Sequence, residues 1–170
     1  MVTDKGINEL VGAFEKIEKE YQNVKLLLVG DYENELDPLS SKTLEIIKQN
    51  KAIISVGFQN DVRSFFAIAD CLVFPSYREG FPNVVMQAGA MSLPCIVSDI
   101  NGCNEIIVQN KNGLLIPVKN QNVIFEAMKL VISDVELFNE MKKVAREMIV
   151  KRYEQQVVWL SILKEYQKVQ

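Results

Sequence analysis

Short apolar runs alternate along this chain with stretches whose apolar positions recur every three or four residues. Ile7, Leu10, Val11, Phe14 and Ile17 follow the helical period. Leu26-Leu27-Leu28-Val29-Gly30 reads as a strand closed by glycine, and Asp37-Pro38 as an N-cap with proline at the first helical position, opening a helix toward Gln49. Ile53 to Gly57 is a second strand, a helix follows from about Val62 to Ala69, and Cys71 to Pro75 is a third strand. A helix over Asn83 to Met91 leads to a fourth strand, Cys95 to Ser98. Asn101-Gly102 and Asn112-Gly113 mark turns around a short helix from Glu105 to Val108, before a fifth strand, Leu114 to Ile116. Three helical segments close the chain. The first carries Val123, Ala127 and Val131 on one face. The second opens on a capping-box spacing of Ser133 and Glu136, with Leu137, Met141, Val144 and Met148 inward. The third carries Val157, Val158, Leu160 and Leu163.

Strands that are apolar throughout, alternating with helices, predict a parallel sheet buried on both faces. The expected fold is a Rossmann-like three-layer α/β/α domain with about five or six parallel strands. One domain spans residues 1–170, with an α/β core over 1–151 and a C-terminal helix over 152–170. Ligands of such folds bind beyond the carboxyl ends of the strands. Here those ends are Gly30-Asp31, Gly57-Phe58, Pro75 to Glu79, Ser98-Asp99 and Pro117.

Composition narrows the chemistry. The 170 residues carry a net charge of −3 and no basic block, which argues against a nucleic-acid partner. Lys142, Lys143, Arg146, Lys151 and Arg152 are interleaved with apolar residues and read as a solvated helix face. No apolar run reaches the length of a membrane span, and Met1 to Lys5 lacks the apolar core of a signal peptide. Cys71, Cys95 and Cys103 form no Cys-x-x-Cys pair, which fits a reducing compartment, so a cytoplasmic location is expected. The chain has no histidine, the commonest general base and metal ligand, and no metal site is expected. Any chemistry must rest on carboxylates, lysine or backbone groups.

The segment Phe74-Pro75-Ser76-Tyr77-Arg78-Glu79-Gly80-Phe81-Pro82-Asn83-Val84-Val85-Met86-Gln87-Ala88 runs from a strand through a polar loop into a helix. A helix N-terminus offers unpaired amides and a positive dipole to phosphate. Gly80 lets the backbone approach a ligand, and Glu79 offers a charged acceptor to sugar hydroxyls. Read alone, the segment fits an ordinary turn with a capping glutamate equally well.

The same segment resembles the Glu-x7-Glu signature of retaining glycosyltransferases of family 4, which have the GT-B fold. Glu79 matches the first glutamate, and Gln87 stands where the family has the second. Asp4-Lys5-Gly6-Ile7, Gly89 to Asp99 and Gly102-Cys103-Asn104-Glu105 extend the resemblance, in order, from about Asp4 to Ser133. Tyr77-Arg78-Glu79 with Pro82-Asn83 is most similar to bacterial capsular or lipopolysaccharide transferases. The resemblance implies a glycosyltransferase domain that binds a nucleotide sugar, with a UDP-sugar foremost, as substrate and without a further cofactor. Glu79 would bind donor-sugar hydroxyls, and Lys5 would neutralise the departing diphosphate, work that a metal does in other transferases. Amides around Gly80, Phe81, Asn83 and Val84 would hold the diphosphate, while Pro82 has no N–H to offer. Gln87 would meet the ribose without the charge of a glutamate, and Phe58 and Gln59 match the region that reads the base.

The family pattern also has an arginine and a first strand upstream of Asp4, and an N-terminal acceptor domain. The resemblance therefore implies a donor half whose partner domain lies outside these 170 residues. The segment from Glu154 to Val169 is expected to be the helix that crosses back to that domain, exposing Trp159 and Tyr166; packing on this same domain is the alternative. Two rival functions stay open: a nucleotide-sugar epimerase of GT-B type, and a non-catalytic α/β binding or signalling module. A Rossmann dehydrogenase is disfavoured, because no Gly-x-Gly-x-x-Gly follows the first strand.

Overall fold

A computed structural model of the chain describes residues 1–33 and 35–168. A 3-10 turn, Thr3–Lys5, leads through Gly6 into helix α1 (Ile7–Glu20). Strand β1 (Leu26–Leu28), helix α2 (Ser41–Gln49), strand β2 (Ile53–Ser55), helix α3 (Arg63–Ile68) and strand β3 (Leu72–Phe74) follow. Then come α4 (Asn83–Ala90), β4 (Cys95–Ser98), α5 (Cys103–Ile106), β5 (Gly113–Ile116), α6 (Gln121–Ser133), α7 (Val135–Tyr153) and α8 (Gln155–Gln167). Val169 and Gln170, which the predicted C-terminal helix segment includes, lie outside the described residues.

Among the described residues all strand pairings are parallel, as expected, but hydrogen bonding divides the five strands there into two groups, β1-β2 and β3-β4-β5. A common apolar layer unites them. Leu26, Leu28 and Ile53 share one buried cluster with Ile96 and Leu114, under Leu10, Val11 and Phe14 of α1 and Ile124 and Ala127 of α6. Cys95 and Val97 point to the opposite face, into a second cluster with Val85 and Ala88 of α4, Ile106 of α5 and Ile149 of α7. Successive residues of a strand face opposite sides, so helices on both faces bury every residue of β4. This is the three-layer arrangement that the apolar strands predict.

Three predicted helix starts are corrected. Ser40, not Asp37, caps α2, its Oγ accepting the Thr43 amide at 3.1 Å. The Asp37 carboxylate instead accepts the Asp4 amide at 2.6 Å, and the Thr3 hydroxyl donates to the Pro38 carbonyl. Contacts to the 3-10 turn thus take the residues that would have opened the helix. At the second, Ser133 is the last residue of α6, and Asp134 caps α7 by accepting the Leu137 amide at 2.9 Å. The buried stripe of α7 is Met141, Ala145 and Ile149, rotated from the predicted Val144 and Met148. The short helix starts at Cys103, two residues early, where the Glu105 carboxylate reaches back to the Gly102 amide at 3.2 Å. Helix α8 has no buried residue; Trp159 and Tyr166 are 59% and 70% exposed. Among the described residues, no helix is long and apolar enough to cross a membrane.

Asn112, read from sequence only as a turn residue, is a buried clamp. Its Oδ1 accepts the Val108 amide at 2.8 Å, and its Nδ2 donates to the Ile106 carbonyl at 3.1 Å. Arg152 also donates to that carbonyl, so Asn112→Ala strands chiefly the Val108 amide. The substitution is expected to lower the unfolding free energy by about 2 kcal/mol, read as a lower urea midpoint.

Candidate active site

The 3-10 turn and the loop after β3 meet at the carboxyl edge of the strands, and their backbones lock together. The Tyr77 amide donates to the Asp4 carbonyl at 2.8 Å, and the Ser76 hydroxyl lies 3.3 Å from the same oxygen. Arg78 Nε pairs with the Asp4 carboxylate at 2.7 Å. Gly6 takes a left-handed conformation (φ 69°), and a Cβ there would overlap the Pro75 carbonyl. Glycine is thus required on two counts where this turn passes beneath the loop.

This junction brings Lys5 and Glu79 together across 74 residues of sequence. The Lys5 ammonium forms an ion pair with Glu79 Oε1, which also accepts the Ser76 hydroxyl at 2.7 Å. Lys5 Nζ lies 5.7 Å from the Phe74 ring centroid, so its second neighbour is an aromatic face. The Glu79 side chain is only 13% exposed and Lys5 is 40% exposed. A carboxylate held by two donors on one oxygen keeps its other oxygen for a ligand hydroxyl. The ammonium on the open side can turn toward an anion.

Beyond Glu79 the chain enters α4 through Pro82, which occupies the N-cap position without a side-chain cap. Among the described residues, no hydrogen bond engages the amides of Gly80, Phe81, Asn83 or Val84. Unpaired amides at a helix start carry partial positive charge and favour an anion. Nothing lies within 4 Å of the position where a Gly80 Cβ would stand, so that backbone faces open space. Behind it, Gly102 (φ +78°) passes so close that a Cβ would overlap the Gly80 carbonyl. The Phe81 ring packs edge-on against Tyr153 of α7, 5.3 Å between centroids, which anchors the loop from the far side.

The remaining sequence candidates are Gln87, four residues into α4, and Phe58 and Gln59 in the loop after β2. Gln87 is exposed on α4 and shares a shallow cavity of about 470 Å³ with Asn60, Asp61, Arg63 and Arg146. That cavity links α4 to the loop carrying Phe58 and Gln59. Phe58 is 65% exposed, and its amide donates to Asp31 Oδ1 at 2.9 Å, so only its carbonyl and ring remain for a ligand. The Gln59 side chain donates to the Val56 carbonyl at 2.9 Å and is occupied with its own loop. Asp31 and Asp99 organise turns: Asp99 accepts the Asn104 side-chain amide at 2.9 Å.

Sequence reasoning gave no site role to Ser76, Asp4, Glu9 or Tyr77. Ser76 is fully buried and touches Glu79, yet a serine in a polar loop carries no mark of that. The Tyr77 hydroxyl donates to Glu9 Oε1 at 2.7 Å. Its pKa is raised above the usual range, first by burial and then by Glu9, Asp4 and Asp37, so it stays a neutral donor. Cys103 has its thiol pushed up to about 11 by burial, with the charge of Glu79 adding to the effect. It is therefore a protonated packing residue beside the pair, not a nucleophile.

Comparison with known proteins converges on one family. The family model described as "Glycosyl transferases group 1" matches residues 1–148. The capsular polysaccharide biosynthesis glycosyltransferase CapM of Staphylococcus aureus is 28% identical over 166 residues, which are 98% of this chain and 43% of that protein. The UDP-Gal:alpha-D-GlcNAc-diphosphoundecaprenol alpha-1,3-galactosyltransferase of Escherichia coli is 32% identical over 124 residues, 73% of this chain and 32% of its own length. The chain thus spans less than half the length of these relatives. Among solved structures, the C-terminal domain of the group 1 family protein LpcC from Francisella tularensis superposes with a TM-score of 0.82 at 25% identity. That match covers 91% of this chain and 83% of the other. With the family model matched over residues 1–148 and the fold shared across nearly the whole chain, this protein belongs to the Glycosyl transferases group 1 family and has the Rossmann-like form of one half of a GT-B enzyme.

Proposed function

We propose that residues 1–170 are the donor-binding domain of a retaining, metal-independent glycosyltransferase of bacterial surface polysaccharide synthesis, with a UDP-sugar as donor. The observation that carries this reading is the Lys5–Glu79 pair beside the unpaired amides that open α4. A nucleotide sugar presents hydroxyls next to a diphosphate. A carboxylate acceptor and a set of cationic or N–H donors complement those two groups side by side.

In this mechanism Glu79 accepts hydrogen bonds from the donor sugar. The diphosphate lies on the amides of Gly80, Phe81, Asn83 and Val84. Lys5 leaves Glu79 for the diphosphate as the anomeric C–O bond breaks and negative charge collects on the leaving group. A fixed positive group aimed at that charge lowers the barrier without reorganisation. Gln87 meets the ribose, and the loop of Phe58 and Gln59 meets the base. The acceptor comes from a further domain, as in a two-domain GT-B enzyme, and the transfer keeps the configuration of the anomeric carbon. UDP is the preferred nucleotide because the galactosyltransferase relative is named for UDP-Gal. CapM, named for capsular polysaccharide, supports the surface-polysaccharide role.

Titration calorimetry of the chain with UDP, GDP and ADP tests this directly. Saturable heat with UDP alone is expected, at a dissociation constant no weaker than ~1 mM, or about −4 kcal/mol. Preference for GDP or ADP would reassign the base. No saturable heat with any of the three would overturn the donor-domain reading.

A further inference from the structure

Glu9 lies in the first turn of α1, on the same short stretch as Lys5, and Tyr77 stands two residues before Glu79. The Tyr77 hydroxyl joins these two stretches through Glu9 Oε1 at 2.7 Å, spanning 68 residues of sequence. The second oxygen of Glu9 is buried and has no hydrogen-bond partner among the described residues. On its other side the Tyr77 ring carries the Lys119 ammonium, 4.7 Å from its centroid. The phenol is therefore held at its hydroxyl, its ring and its backbone amide, which donates to Asp4.

We propose that the Glu9–Tyr77 hydrogen bond is a strut that positions Lys5 and Glu79 relative to each other, making Glu9 and Tyr77 positioning residues for sugar recognition. The proposal rests on the roles given above to Lys5 and Glu79. The mechanism requires Lys5 to leave Glu79 for the diphosphate while Glu79 keeps its place against the sugar. Once the Lys5–Glu79 ion pair opens, the loop stays tied to the 3-10 turn only through Asp4, and the strut adds a separate, side-chain tie from the loop to α1, just beyond Lys5. It touches neither the ion pair nor the amides that open α4. A hydrogen bond to a charged group is stronger than a neutral one. Without the phenol hydroxyl, the Glu9 carboxylate has neither oxygen partnered, and desolvation drives it to water by moving the loop.

Tyr77→Phe removes the hydroxyl and keeps the ring under Lys119. Glu9→Gln keeps an acceptor oxygen for the phenol and adds an N–H donor. Two measurements on the chain separate the strut from the donor reading. Amide hydrogen exchange without ligand is expected to speed up at least tenfold at residues 77–79 in Tyr77→Phe and to stay near wild type in Glu9→Gln. Calorimetry with UDP and UDP-galactose is expected to show UDP affinity within about twofold of wild type for both variants. Tyr77→Phe alone should lose about tenfold of the preference for the sugar nucleotide. Unchanged exchange in Tyr77→Phe overturns the strut, and so does an equal loss of both ligands with a lower urea midpoint, which would mark a purely structural tyrosine. A wild-type chain that binds neither ligand overturns the donor reading, and the positioning role with it, whatever the exchange shows of the strut itself.

Discussion

Glu79→Ala is expected to abolish the preference for UDP-galactose over UDP while leaving UDP bound at least as tightly as before. The two halves of this result have different causes. The sugar loses a charged acceptor in a site where the Glu79 side chain is only 13% exposed. A hydrogen bond to a charged group contributes about 1.5–3 kcal/mol, so the preference should fall by about ten- to a hundredfold. The nucleotide, by contrast, gains. In the wild-type chain the Lys5 ammonium is engaged by Glu79 Oε1, and a diphosphate must compete for it. Removing the carboxylate frees the ammonium and one positive charge next to the amides that open α4. Calorimetry at low salt reads both effects, because the gain for UDP is electrostatic and fades as salt screens it. An equal loss of UDP and UDP-galactose would show that Glu79 holds the loop and does not touch the sugar.

The second large effect is expected from Gly6→Ala, which changes a single hydrogen to a methyl. Gly6 has φ 69°, and a Cβ there would overlap the Pro75 carbonyl, a backbone atom that no rotamer change can move aside. An alanine in the left-handed region costs about 1 kcal/mol, and overpacking against backbone adds about 1–3 kcal/mol. A total of about 3 kcal/mol at an m-value of about 2 kcal/mol per molar moves the urea midpoint down by about 1.5 M. The displacement also has a direction. Pushing the 3-10 turn off the loop after β3 breaks the contacts of Asp4 with Ser76, Tyr77 and Arg78 and separates Lys5 from Glu79. UDP binding should therefore weaken by more than the loss of stability requires. A Gly6→Ala chain with wild-type stability would show that the turn and the loop yield independently.

The strands were legible because parallel strands packed between helices run largely apolar; β4 is buried along its whole length, whereas Ile54 and Ser55 of β2 are exposed and were readable only from the apolar run. The helix caps were not. Asp37 and Ser133 are as good N-cap residues as Ser40 and Asp134, and local chemistry cannot rank them. The 3-10 turn decided the first case by capturing the Asp37 carboxylate with the Asp4 amide. In the second, α6 simply runs on through Ser133, and the Asp134 carboxylate caps α7.

The site divides along the same line. Glu79, Gly80 and the opening of α4 lie within one continuous segment, so strand, loop and helix start could be read together as an anion-binding edge beside a carboxylate. Lys5 entered only through resemblance, since a lysine near the start of a chain is by itself a solvated side chain. Its contact with Glu79 spans 74 residues and exists because Gly6 lets the turn pass under Pro75. Glu9 carried still less signal: a glutamate in the first turn of a helix already has a local explanation in the helix dipole. Its bond to Tyr77 belongs to the packing of α1 against the β3 loop. Burial patterns and local chemistry repeat along the chain and so determine strands, helices and the α4 edge. Which charges face one another at the ends of those strands depends on how separate segments close together, and only the tertiary structure decides that.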